Sequence, residues 1–162
     1  VAGTNIPNRF SEYTPAEYQH IMPTNLHGIV ELTQQVGARM IQRGAGGKIV
    51  MIGSLMSLVG LPYISIYAMT KGALGQLTKA LAAEWGRYNI QVNCIAPGLI
   101  QTDFARALWE DPDRLAKRTE QTPLRRIGQP HEIGPVAAFL ASPAASYITG
   151  QVIVADGGVT IA

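Results

Sequence analysis

Tyr67 and Lys71 stand four residues apart. On a helix that spacing stacks two side chains on one face, so an ammonium lies close to a phenol hydroxyl. A nearby cation favours phenolate and lowers a tyrosine pKa from its usual value of about 10. A phenol tuned this way can pass a proton near neutral pH. Ser54 closes the strand-like run KIVMIGS. It can therefore stand at a strand's carboxyl end, where open α/β sheets place their ligands. A Tyr and Lys at this spacing are by themselves a helix-surface pair, so the assignment depends on the elements that carry them.

Those elements are legible in order. Residues 1–13 are loop-like, with Gly3, Asn5 and Pro7 as turn residues. Thr14 suits an N-cap, Pro15 the first helical position, and Glu17 completes a capping box. The helix is expected to run to about Gln42. Pro23 removes an amide donor inside it and predicts a kink, with Asn25 just beyond, where backbone groups are freed, and Gly28 loosening the same region. Lys48–Ile52 is a continuous apolar run of the kind buried on both faces of a sheet. A second helix is predicted from about Ser65 to Tyr88. Its stripe of Leu74, Leu77, Leu81 and Trp85 belongs to the core or to a subunit interface. A strand follows over Ile90–Ile95. Residues 99–123 form an excursion with short helices around Thr102–Leu108 and Pro112–Glu120, of a length often seen in functional lids. A helix opens at Gln129-Pro130-His131-Glu132 and runs to about Ala141. Residues 144–149 read as a helical turn, and Gln151–Ala155 as a third strand closed by Asp156-Gly157-Gly158. Strands alternating with helices indicate one α/β domain over residues 1–162, built on a parallel sheet.

Composition excludes several classes. Apolar residues make up 47% and charged residues 15%, which is a globular balance and not a disordered one. A net charge of +2 gives no reason to expect nucleic acid or a membrane surface as partner. No apolar run reaches the roughly 18 residues of a membrane span. The single cysteine, Cys94, excludes an internal disulfide, reads as a buried small hydrophobe and fits a reducing compartment, taken here as the cytoplasm. His20, His27 and His131 lack metal-ligand spacing, so no metal site is expected. Asn93 reads as a residue that fixes backbone, and Asp156 as a turn residue.

Four features together resemble the short-chain dehydrogenase/reductase family. They are Thr24-Asn25-Leu26 in the kinked helix; Ser54, then twelve residues, then Tyr67-Ala68-Met69-Thr70-Lys71; Val92-Asn93-Cys94-Ile95-Ala96-Pro97-Gly98 with Thr102 after it; and Asp156-Gly157-Gly158 closing the last strand. The resemblance covers essentially the whole chain. It implies a Rossmann-type doubly wound parallel sheet of order 3-2-1-4-5-6-7, of which this chain would supply the C-terminal portion, strands 5 to 7 with their helices. It also implies hydride transfer between NAD(P)H and a carbonyl or secondary alcohol. Tyr67 would be the general acid/base. Lys71 would lower the Tyr67 pKa and hold the nicotinamide ribose. Ser54 would bond the carbonyl oxygen, and Asn25 would hold a water linking Lys71 to solvent. Ala2 and Gly3 would end the family's Asn-Asn-Ala-Gly turn along the cofactor, although Val1 stands where the second asparagine belongs. Pro97, Gly98, Ile100 and Thr102 would cradle the nicotinamide end. Leu55, Met56, Tyr63, Phe104, Leu108 and Trp109 would form an apolar substrate wall, or simply core.

The run from Ala96 to Phe104, with Leu108-Trp109, resembles the family's NADPH-dependent carbonyl and retinal reductases. On that resemblance NADP(H) is expected over NAD(H), with a homo-oligomer, dimer or tetramer, as the assembled state. Gly44, Gly46 and Gly47 precede a strand instead of following one into a helix, so they fail as a phosphate-binding loop. The chain begins at Val1 and not at methionine, which leads us to expect a fragment, a processed chain or an incomplete sequence. Two readings follow: an NAD(P)-dependent oxidoreductase whose isolated 162-residue portion is inactive, or a noncatalytic fragment that keeps only an assembly surface.

Overall fold

The computed structural model describes residues 3–162. Thr14 accepts from the Glu17 amide while the Glu17 carboxylate accepts from the Thr14 amide, and this box starts helix α1, Pro15–Met22. The expected kink is a π turn over Pro23–His27, in which the Gly28 amide donates to the Pro23 carbonyl. Proline cannot donate to the preceding turn, and the chain absorbs the loss by widening one turn without breaking the helix. Helix α2 then runs Gly28–Arg43 and ends at Gly44, in the left-handed conformation that favours glycine.

Strand β1 (Gly47–Ile52), helix α3 (Ser65–Trp85), strand β2 (Ile90–Pro97), helices α4 (Arg106–Trp109), α5 (Pro112–Gln121) and α6 (Pro130–Ala141), and strand β3 (Val152–Ala155) complete the order. The long helix stops three residues earlier than expected, because Gly86–Tyr88 tightens into a 3-10 turn. The sheet is parallel, in the order β1-β2-β3. Gly47 to Ile52 lie opposite Ile90 to Ile95, and Cys94 to Pro97 opposite Val152 to Ala155. All three strands therefore end on the same side, and Ser54, Gly98 and Asp156 follow those ends.

The central strand is the buried one. Ile90, Val92, Cys94, Ile95 and Ala96 have no solvent exposure. The α2/α3 side of the sheet packs Met51, Leu74, Ala82 and Trp85 against Ile90, Val92 and Cys94, and the α6 side packs Leu140 and Ala145 against Ile95. Strand β1 departs from the sequence expectation. Only Met51 is fully buried and its neighbours are half-buried, because among the described residues β1 pairs with β2 alone. An unpaired strand edge is a template for pairing with another chain. Asn93 behaves as expected: its side chain donates to the Ile148 carbonyl and accepts from the Gln151 amide, anchoring the approach to β3.

The α2–α3 contact depends on one glycine. A Cβ on Gly37 would lie 2.3 Å from the Trp85 ring. Gly37→Ala gains about 1 kcal/mol of helix propensity, but overpacking against a rigid ring costs about 1–3 kcal/mol. The clash should win, and the thermal midpoint should fall by several degrees. Gly72→Ala in α3, where a Cβ meets nothing within 4 Å, should raise the midpoint. Melting both variants by circular dichroism checks the opposite signs.

Candidate active site

The site is assembled where β1 and β2 end against the first turns of α3. Ser54 caps a short 3-10 turn, Leu55–Ser57, and its Oγ accepts from the Met56 amide at 3.2 Å. Tyr67 lies half-buried in the first turn of α3. Lys71 follows one turn later, only 4% exposed. Its Nζ donates to the carbonyl of Ile52, the last residue of β1, at 3.0 Å and lies 5.7 Å from the Tyr67 ring centroid. Among the described residues no carboxylate pairs with it; the ion pairs all involve arginines.

The electrostatics differ from the sequence expectation. Burial raises the Tyr67 pKa above its ordinary value, and the Ser54 hydroxyl works against that rise. Burial also lowers the Lys71 pKa, with nearby Cys94 opposing it. The expected lowering of Tyr67 by Lys71 is thus not met in this structure. The lysine's head reaches back to the strand end, and loss of water is the largest influence on the phenol. Burial thus works against the charged form of both side chains.

Asn25 is fully buried in the π turn. Its Oδ1 accepts from the Thr4 amide at 2.8 Å and its Nδ2 donates to the Thr4 carbonyl at 2.7 Å. A longer contact reaches Thr70 Oγ1, which itself donates to the Tyr67 carbonyl. The side chain expected to hold a water is therefore engaged with backbone, and it fastens the 3–8 segment to the helix carrying Tyr67. Gly3 begins that segment; Ala2 lies outside the described residues.

The remaining candidates divide. Phe104 is brought to Tyr67, ring centroids 5.9 Å apart, and Met56 is buried below the Ser54 turn. Trp109 donates from Nε1 to the Thr102 carbonyl, bracing the excursion after β2. Tyr63 has an exposed side chain and φ of +68°, unusual for a residue with a Cβ. Its carbonyl accepts from the Asn8 amide, so its visible role is to hold the entering loop. Gly98 is required by close approach, since a Cβ there would sit 2.7 Å from the Asp156 backbone. Ile100 points elsewhere. It lines a cavity of about 460 Å³ with Pro123, Gly128 and Val154, which contains none of Ser54, Tyr67 and Lys71. Ser57 was missed by the sequence reading; the capping pattern Ser-x-x-Ser could have found it.

Among the described residues, no group of three or more His, Cys, Asp and Glu could hold a metal ion. No helix there is long and apolar enough to cross a membrane. The nicotinamide-ribose end of a dinucleotide fits the residues present: Lys71 offers further ammonium protons beyond the one on Ile52, and Gly98 keeps the β2 exit open. The phosphates find no such fit. Gly44 and Gly46 lead into β1 and not into a helix, so among the described residues no glycine loop delivers a helix N-terminus to them.

Comparison with known proteins identifies the family. The family model described as enoyl-(acyl carrier protein) reductase matches residues 1–160. The chain belongs to the short-chain dehydrogenase/reductase family. A tropinone reductase homologue of Arabidopsis thaliana is 45% identical over 159 residues, covering 98% of this chain and 60% of the relative. Galactitol 2-dehydrogenase (L-tagatose-forming) of Cereibacter sphaeroides is 41% identical over 152 residues, covering 93% of this chain and 59% of that enzyme. The solved structure of a gluconate 5-dehydrogenase from Burkholderia cenocepacia, in complex with NADP and tartrate, superposes with a TM-score of 0.96 at 40% identity. The match covers 99% of this chain and 63% of that one. The chain thus spans about three-fifths of the length of these relatives, and its α/β architecture is Rossmann-like.

Proposed function

We propose that these 162 residues form the C-terminal catalytic portion of an NADP(H)-dependent oxidoreductase that interconverts a ketone and a secondary alcohol. One observation carries the reading: Lys71 is buried with no acidic partner among the described residues, one helical turn from a half-buried phenol. A fold gains nothing from an unpaired buried cation, so such a group points to function. Tyr67, protonated at neutral pH, gives its proton to the oxygen of the substrate carbonyl during reduction and takes it back during oxidation. Ser54 Oγ, which accepts from the Met56 amide and so keeps its own proton to give, donates to that same oxygen. Lys71 holds the ribose and steadies negative charge on the phenol as the proton leaves. Asn25, through Thr4 and Thr70, fixes the helix that presents Tyr67. The bound nicotinamide supplies the hydride.

NADP(H) is favoured over NAD(H) by the NADP bound in the gluconate 5-dehydrogenase relative. The relatives' named substrates, a sugar acid and a polyol among them, favour a polyhydroxy ketone. Phe104, whose ring centroid lies 5.9 Å from that of Tyr67, is the apolar residue offered to a substrate there. In a longer polypeptide a further strand would pair with the β1 edge that is unpaired among the described residues and would bring a phosphate loop, in keeping with the half-buried strand. A cytoplasmic location and a homo-oligomeric assembly belong to the same proposal; the lone buried thiol and the exposed Tyr18, Leu32 and Met69 support them.

A second reading is favoured by the missing phosphate grip: the 162-residue chain alone is an assembly module without turnover. Calorimetric titration with NADPH and NADH separates the two. The isolated chain should show no low-micromolar binding of either nucleotide, while a polypeptide that includes the preceding segment should bind NADPH and oxidise it in the presence of a polyhydroxy ketone. Absence of NADPH oxidation by that longer polypeptide, with a broad panel of ketones and aldehydes, would refute the oxidoreductase reading.

A further inference from the structure

Ser57 connects the two halves of the site, and the mechanism above does not use it. Its Oγ donates to the main-chain carbonyl of Lys71 at 2.7 Å and accepts from the Ser54 amide at 3.3 Å. A hydroxyl has one proton to give and lone pairs to receive, so both bonds hold together. The first joins residues fourteen apart in sequence and is the only one of the two that leaves the local turn. The lysine carbonyl belongs to α3, one turn after Tyr67; the serine amide belongs to the strand end. The space around this hydroxyl is closed on one side. A Cβ on Gly53 would lie 2.8 Å from Ser57 Oγ and 2.8 Å from Cys94 Sγ, so the strand end can approach only because residue 53 has no side chain.

We infer that Ser57 is a positioning residue for the reaction: its hydroxyl fixes the strand end carrying Ser54 against the helix carrying Tyr67 and Lys71. The inference rests on the proton-transfer reading above. Two hydroxyls that must meet one substrate oxygen tolerate little relative motion, since about 1 Å of misplacement costs on the order of a hundredfold in rate. A residue that served only to cap the 3-10 turn would affect stability alone. A residue that sets the distance between Ser54 and Tyr67 affects the chemical step and leaves substrate binding in place.

The test uses the longest polypeptide that contains this chain and turns over, with Tyr67→Phe measured in parallel. Ser57→Ala should lower kcat about tenfold, the scale of one lost hydrogen bond at a reacting site. KM for ketone should stay within about twofold of the unmodified enzyme, as expected for an interaction needed only in the transition state. Ser57→Thr keeps the hydroxyl and should recover most of kcat. Ser57→Cys keeps the size but weakens both bonds, so it should resemble Ser57→Ala, and it carries the comparison if the threonine variant does not fold. An alanine or cysteine variant with unchanged kcat overturns the inference, as does a threonine variant that folds without recovering. If Tyr67→Phe is inactive while Ser57→Ala is not impaired, this inference fails alone. If Tyr67→Phe keeps its turnover, the proton-transfer reading fails and takes this one with it.

Discussion

Replacing Lys71 with methionine should abolish turnover while leaving the chain as stable as before, or more stable, at neutral pH. Lys71 is 4% exposed, its ammonium meets one carbonyl, and no carboxylate answers it among the described residues. Removing an ammonium from water costs several kcal/mol after relaxation. The single bond to Ile52 returns about 1.5–3 kcal/mol, the range for a hydrogen bond to a charged group. Methionine fills a similar volume without the charge, and the loss of one bond to a carbonyl is the smaller effect.

The pH dependence follows from the direction of the shift. Burial depresses the folded Lys71 pKa below its unfolded value. A depressed group contributes stability above its unfolded pKa of about 10.4, and that contribution is lost as pH falls through the folded value. Below that unfolded pKa the wild-type chain therefore carries the cost of burying this amine, and the methionine variant does not. Thermal melts should show the variant at or above wild type at pH 7, with the gap narrowing as the pH is raised toward 10. Turnover of the longer polypeptide should fall at least about a hundredfold, the low end of what a positioned proton-transfer group supplies. A variant that melts far below wild type at pH 7 would make Lys71 a structural residue and remove the observation on which the functional reading stands.

How much of this was legible in the sequence depended on the range of each interaction. The start of α1 was legible because Thr14, Pro15 and Glu17 act within one turn. Pro23 announced a disturbance, but its form as a π turn depends on how the neighbouring helix packs. The partner of Asn25 was out of reach: the Thr4 backbone lies twenty-one residues away, and nothing local points to it. The Tyr67–Lys71 pair was visible as spacing, yet spacing could not show that the lysine's head reaches back to Ile52, or that burial raises the pKa of the phenol. Phe104 was named as pocket wall or core, and only the path of the excursion after β2 sets its ring beside Tyr67. Apolar content made β1 look fully buried; its exposure is set by what pairs with its outer edge, which composition does not encode. The Gly37–Trp85 contact and the left-handed Tyr63 are likewise products of packing.

The whole account turns on Tyr67. Its phenol stands beside Ser54, Lys71 and Phe104 and can both give and take a proton, and among the described residues its hydroxyl bonds to no backbone group. Tyr67→Phe removes one oxygen and keeps the ring against Phe104, so the fold should be preserved. Without the phenol the developing alkoxide must take its proton from water, and general acid catalysis of this kind contributes about 10²–10⁴-fold. The decisive measurement is NADPH oxidation by the longer polypeptide and its Tyr67→Phe variant under identical conditions, with NADPH affinity and melting temperature recorded for both. The account predicts turnover lower by about a thousandfold with affinity and melting unchanged. A phenylalanine variant that oxidises NADPH at the wild-type rate would contradict it.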